Sequence, residues 1–356
     1  MSALSVEPTD APLTFEELQL ATRNRGMPLE ALRYDLTPTG LHYLLVHFDI
    51  PALDSATWRL RIGGAVKRPL ELSLEDLQAR PRRTIPVTME CAGNGRARLQ
   101  PRPISQPWLL EASGTAEWTG TPLAPILEEA GLDEGALELV FTGADRGVQG
   151  EIEQDYQRSL TIAEASRPEV LLAYEMNGAP LQPQHGSPLR LLVPGWYGMT
   201  SVKWLTSIEA VTEPFDGYQQ ATAYHYQAAP DDPGEPVTRI RVRALVVPPG
   251  IPDFLTRRRL VDRGPVTLTG RAWSGDGEIT KVEVGVDGDW TPGTLGPSVG
   301  EFAWRSWSFE WTAEPGDHVL ACRATDSSGA TQPVEQPWNE QGMGNNLVQQ
   351  VDVSVR

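Results

Sequence analysis

The sequence is short of cysteine and histidine, carries fewer basic than acidic residues, and lacks any long apolar run. Each shortage removes a class of protein. Two cysteines, Cys91 and Cys322, set far apart in a 356-residue chain, do not make the disulfide framework of a small secreted domain, so both thiols are expected to be free. There are 30 Lys and Arg against 47 Asp and Glu, a net charge of −17. That field repels phosphate backbones and argues against a nucleic-acid partner. The longest apolar stretches, such as Ala244-Leu-Val-Val and Leu189-Arg-Leu-Leu-Val, fall far below the roughly 18 to 20 residues that cross a bilayer, so no integral membrane segment is expected. The opening Met1-Ser-Ala-Leu-Ser-Val-Glu-Pro-Thr-Asp has neither a basic nor an apolar leader region, and a cytoplasmic location is the expectation. No Cys-x-x-Cys, His-Glu-x-x-His, Gly-x-Ser-x-Gly or P-loop occurs, which argues against zinc sites and nucleotide hydrolysis.

What is present points to two β-rich domains. Apolar residues make 40% of the chain, and 33 Gly with 31 Pro favour short strands joined by many turns. Residues 1–40 read as a lead-in segment with one short helix, where Thr14 and Glu17 have capping-box spacing. From 41 to 228, short β runs (41–48, 58–62, 137–141, 189–193) alternate with short helices (74–79, 123–130), a mixed α+β domain. Ala228-Ala-Pro-Asp-Asp-Pro-Gly-Glu-Pro has linker chemistry and places a boundary at 229–238. Beyond it, segments such as Thr280-Lys-Val-Glu-Val-Gly-Val alternate with period two between Gly- and Asp-rich turns. About seven such strands predict an all-β, immunoglobulin-like sandwich over 239–356. There Cys322 shares a face with Leu320 and Ala324 and reads as a small core residue.

Three segments carry candidate chemistry. In Thr88-Met-Glu-Cys-Ala-Gly-Asn-Gly-Arg-Ala-Arg a β run ends at Cys91, glycines allow close backbone approach, and Arg96 and Arg98 favour the thiolate. This predicts a reactive or metal-binding sulfur. In the segment 184–204, His185, Arg190 and Lys203 punctuate β runs and glycine turns; they suit a phosphate-bearing ligand, though on this segment alone solvated strand-edge charges are the better reading. Tyr218, Tyr224, His225 and Tyr226 cluster before the linker, as packing or with one catalytic tyrosine among them.

Taken together, Cys91-Ala-Gly-Asn-Gly-Arg, Ala173-Tyr-Glu-Met-Asn-Gly-Ala-Pro-Leu, His185-Gly-Ser-Pro-Leu-Arg and Ser201-Val-Lys-Trp-Leu resemble the sulfite oxidase family of molybdenum–pterin enzymes. The resemblance runs from Leu41 to the C-terminus and includes His47-Phe-Asp-Ile-Pro-Ala-Leu-Asp, Phe141-Thr-Gly-Ala-Asp, Ala272-Trp-Ser-Gly and Pro337-Trp-Asn. It implies a molybdopterin domain followed by a sandwich that mediates homodimerisation. It implies Cys91 as the one protein ligand to molybdenum, and His47, Asp145, His185, Arg190, Val202 and Lys203 as the residues that hold the molybdopterin and its phosphate. Tyr224, Arg96 and Trp108 fall in the substrate pocket.

The implied reaction is oxygen-atom transfer to an oxyanion such as sulfite, with electrons leaving to a separate acceptor. The five histidines offer no haem-binding pair, so no haem is expected. Two of the three arginines that the resemblance leads one to expect around the anion are Leu45 and Gln341 here, which keeps open an S-oxide, N-oxide or nitrate substrate. The residues alone also allow a hydrolase with Cys91 as nucleophile and His47 or His185 as base, or a non-enzymatic cofactor-carrying module.

Overall fold

The computed structural model describes residues 12–335 and 338–356. In the first half, two sheets enclose a core. One runs in the order Leu70–Leu72, Leu60–Gly64, Leu205–Val211, Glu138–Gln149, Ile152–Thr161; only the pairing of Leu60–Gly64 with Leu205–Val211 is parallel. The other is antiparallel: Arg83–Glu90, Ser113–Pro122, Leu171–Met176 and Ala179–Pro180, with Arg190–Leu192 also pairing Leu171–Met176. Short helices, Leu74–Gln78 and Ala124–Ala130, sit where the apolar pattern changes to helical spacing. They pack Leu77, Ile126 and Leu127 against Phe141, Leu172 and Ile208.

The predicted strand over 41–48 is not formed. That stretch makes a 3-10 turn at Thr39–Leu41 and a single bridge, Arg25 to Leu44. Its polar groups are met by side chains instead of a ladder: the Val46 N–H donates to Asn24 Oδ1 at 2.7 Å. The segment from Pro12 to residue 40 is therefore more than a lead-in. Its helix, Phe15–Arg23, starts on the predicted Thr14–Glu17 capping box. Glu17 then forms a buried ion pair with Arg102 at 2.8 Å, and Asn24 donates to Gln106 Oε1 at 2.8 Å.

The second half is a two-sheet β-sandwich of four and six strands, against about seven expected. Leu320, Cys322 and Ala324 all point into its core, with Trp307, Trp311 and Val353. The expected linker 229–238 is ordered at its far end, where Glu235–Pro236 pairs with His225–Tyr226 and Val237 is buried. A third apolar cluster joins the halves, with Met27, Leu32, Ala92, Tyr197, Tyr224, Leu245, Trp273 and Trp304. Polar contacts cross the same seam: the Thr88 N–H donates to the Phe302 carbonyl at 2.8 Å, and Arg271 Nε donates to the Leu32 carbonyl at 2.8 Å.

Candidate active site

A cleft of about 690 Å³, part of it open to solvent, lies between the two sheets of the first domain and the seam. It collects eight of the ten residues singled out from the sequence: Cys91, His47, Asp145, His185, Arg190, Val202, Lys203 and Tyr224. Arg96 and Trp108 lie outside its lining but against the Cys91 loop.

Cys91 stands where the strand Arg83–Glu90 ends. Gly93 and Gly95 are required there. A Cβ on Gly93 would lie 2.7 Å from the Arg96 guanidinium, and Gly95 has φ +89°. The sandwich domain grips this loop. Glu90 pairs with Arg243 at 2.8 Å, both fully buried, and accepts the Trp273 indole N–H at 2.8 Å and the Asn94 amide at 3.1 Å. Asn345 donates to the Gly95 carbonyl at 2.7 Å, and the Gly344 N–H to the Ala92 carbonyl at 2.7 Å.

The expectation that neighbouring charge makes Cys91 a thiolate is corrected. Burial pushes the thiol up and outweighs the opposing pull of Arg96, the Gly93 N–H and the Trp108 indole. The Trp108 indole N–H is buried without a hydrogen-bond partner. A coordinating metal displaces the remaining proton. Arg96 Nε donates to the Gln341 carbonyl at 2.8 Å, and its charge acts on both Cys91 and Tyr224 of the cleft.

At the other end of the cleft, Gly186, with φ +103°, lets His185, Arg190 and Lys203 converge; a Cβ there would meet Lys203 Cβ at 3.0 Å. Trp204, in the left-handed region at φ +50°, turns the chain after Lys203, and the ammonium lies 4.1 Å from its ring centre. Lys203 Nζ donates to the carbonyls of Leu45 at 2.8 Å and Gln184 at 3.1 Å, leaving a third proton. Arg190 donates to the carbonyls of His185 at 3.1 Å and Ser201 at 3.0 Å, while its Nε is buried without a partner. His47 Nε2 lies 2.7 Å from Gln149 Oε1.

Burial dominates the electrostatics. It lowers Lys203 to about 7 and Arg190 to about 10, and raises Asp145 to about 6 although Lys203 pulls it down. His185 falls to about 3 and His42 to about 4, through burial and the nearby cations. His185 is therefore a neutral hydrogen-bonding group, not one of three cations. Among the described residues, Arg190, Lys203 and Arg96 have no carboxylate within ion-pairing distance, unlike the buried Arg102 and Arg243, each matched to a glutamate.

A surplus of buried cations at one end and a cysteine sulfur at the other fit a group that brings a phosphate and a soft metal. Among the described residues no cluster of three or more His, Cys, Asp or Glu could hold a metal ion alone. Sequence reasoning missed His42, Tyr43 and Tyr156 in the lining. Pro38 and Gly40 before His42 and Tyr43, and Asp155 and Arg158 around Tyr156, were the available cues, together with the inward position of Tyr156 on its strand.

Residues 47–219 match the oxidoreductase molybdopterin binding domain, and 235–356 the Mo-co oxidoreductase dimerisation domain. The sulfite oxidase of Gallus gallus is 33% identical over 86% of this chain and 71% of its own length. An NADH nitrate reductase of Solanum lycopersicum is 31% identical over 93% of this chain and 40% of its own length. The mitochondrial sulfite oxidase of Homo sapiens is 34% identical over 90% of this chain and 62% of its own length. The chain thus spans only part of these longer relatives. The crystal structure of the sulfane dehydrogenase SoxCD from Paracoccus pantotrophus aligns over 100% of this chain and 95% of its own, with a TM-score of 0.81 and 25% identity. Fold and site define a molybdopterin-binding oxidoreductase. The chain belongs to the sulfite oxidase family. Of the motif Pro337-Trp-Asn, Pro337 lies outside the described residues.

Proposed function

We propose that the protein oxidises sulfite to sulfate by oxygen-atom transfer, SO3²⁻ + H2O → SO4²⁻ + 2H⁺ + 2e⁻, the electrons passing to a separate acceptor. The observation that carries this reading is the pair of buried cations, Arg190 and Lys203, which no carboxylate ion-pairs among the described residues, in one cleft with the Cys91 sulfur. A molybdenum–molybdopterin group, when bound, supplies the oxygen-atom transfer and takes up the electron pair. The chain's part is to bind and orient. Arg190 and Lys203, with His47, Asp145, His185 and the Val202 backbone, hold the pterin and its phosphate. Cys91 is the metal ligand, backed by Arg96 and Trp108. Tyr224, whose phenol burial pushes up to about 12, stays protonated and donates a hydrogen bond to a substrate oxygen. We further propose that residues 41–228 form the catalytic unit, and that the immunoglobulin-like sandwich of 239–356 joins two copies in a homodimer.

The test is metal and pterin analysis of protein made in a molybdenum-replete host, followed by a substrate panel with an artificial electron acceptor. The reading expects molybdenum near one per chain and sulfite turnover. Protein that gains no molybdenum contradicts it. A second reading, reduction of nitrate or another N- or S-oxide, is favoured by Leu45, an apolar residue among those that line the cleft, and by the nitrate reductases among the relatives.

A further inference from the structure

The family resemblance accounts for Arg96, Arg190 and Lys203 but not for another buried cation that no carboxylate pairs among the described residues. Arg158 lies on the strand Ile152–Thr161 and is 2% exposed. No carboxylate pairs with it among the described residues. One terminal nitrogen donates to the Gln219 carbonyl, and Nε is buried without a partner. Its guanidinium carbon sits 5.4 Å from the centre of the Tyr224 ring. Tyr224 lines the cleft and Arg158 does not, so the phenol ring stands between the charge and the cleft.

A buried, unpaired guanidinium is destabilising, and an apolar side chain of similar volume would serve the fold better. Among the described residues its compensation is one carbonyl and one aromatic ring. An anion in the cleft does, because a cation against the ring polarises the phenol and makes its O–H a stronger donor. In a cleft where Leu45 and Gln341 contribute no charge, that field adds to the field of Arg96 on the Tyr224 side.

We propose that Arg158 is a positioning residue for an oxyanion substrate: acting through the Tyr224 ring, it strengthens the Tyr224 hydrogen bond to a sulfite or sulfate oxygen and replaces charge that this cleft lacks. The inference rests on reading the cleft as a sulfite site. Tyr224 is faced by Arg158 and Arg96 on the positive side and by Cys91 and the Tyr156 hydroxyl otherwise.

The test uses the molybdenum-loaded enzyme and its Arg158→Gln variant, which keeps a donor for the Gln219 carbonyl without the charge, with Arg158→Lys as the rescue. Inorganic sulfate is the binding probe, by calorimetry; KM is measured for sulfite and for neutral dimethyl sulfoxide. Arg158→Gln should weaken sulfate binding and raise the sulfite KM about fivefold to tenfold, as expected for one charge acting across several ångströms of protein. It should leave the dimethyl sulfoxide KM within about twofold, and Arg158→Lys should recover most of the loss. On a Tyr224→Phe background the same substitution should change sulfate affinity by less than about twofold, because the route through the phenol is gone. Sulfate affinity unchanged in Arg158→Gln, or equal losses for sulfate and dimethyl sulfoxide, overturns the proposal. If the loaded wild type binds sulfate but does not oxidise sulfite, the sulfite reading fails on its own and the sulfate comparison still decides the role of Arg158.

Discussion

The backbone carbonyl of Leu45 accepts a 2.8 Å hydrogen bond from the Lys203 ammonium, and Leu45 is among the residues that line the cleft. One residue thus anchors the cation assigned to the cofactor phosphate and is apolar where the family resemblance leads one to expect an arginine. Because the anchoring contact is made by backbone, the side chain can be changed without disturbing Lys203. Leu45→Arg should lower the KM for sulfite about tenfold or more, given the roughly 1.5 to 3 kcal/mol of a charge-assisted hydrogen bond. Steady-state kinetics checks this, and an unchanged or higher KM points to a differently shaped substrate.

Lys203 and Arg190 differ in what their loss should do. Lys203→Met removes a cation held by two carbonyls that can turn to water, whereas Arg190→Met also removes the stacking of its guanidinium 4.9 Å over Trp118. Both variants should retain less molybdenum and pterin per chain. Arg190→Met should also raise the unfolding temperature of the cofactor-free protein, because an apolar chain replaces a buried guanidinium that no carboxylate pairs. Elemental analysis and a thermal melt separate the two.

The Glu90–Arg243 pair ties the Cys91 loop to the sandwich. Arg243→Ala leaves a buried carboxylate uncompensated and should destabilise the protein by about 3–5 kcal/mol. Denaturant unfolding measures it. The thiol of Cys91 should react faster with iodoacetamide in the same variant if the loop loosens.

The pH dependence follows from His185 and His42, which are lowered from 6.5 to about 3 and about 4 by burial, with Arg190, Lys203 and Arg25 also opposing a proton on His185. The unfolded chain binds protons on these groups that the folded chain refuses. Stability of the cofactor-free protein should therefore rise from about pH 4 to pH 6.5 and fall on acidification, by up to roughly 1.4 kcal/mol per pH unit for each histidine. Chemical denaturation across that range, compared with His42→Gln and His185→Gln, tests it; both variants should flatten the curve.

Much of this was legible in the sequence. Turn chemistry marked the Cys91 loop and the 184–204 segment, since glycines and charges at strand ends have few other uses. Period-two alternation placed Cys322 in the sandwich core. What was not legible depends on long-range packing. Residues 41–48 alternate like a strand, yet Asn24 and Lys203 take their backbone groups and no ladder forms. Arg96 follows the cysteine as expected, but no local pattern reveals that the Gln341 carbonyl, from the far end of the chain, accepts its Nε hydrogen bond. Arg158 occupies an alternating strand position, and no local pattern reveals that a tyrosine from a distant loop covers it.

The central claim is that Cys91 and the cation cluster hold a molybdenum–pterin group. The most direct measurement is molybdenum and pterin content of the wild type beside Cys91→Ser, both made in a molybdenum-replete host. The account predicts near-stoichiometric molybdenum in the wild type, with pterin retained but molybdenum or turnover sharply reduced in Cys91→Ser. Wild-type protein without molybdenum, or a Cys91→Ser variant that binds the metal and keeps full activity, contradicts it.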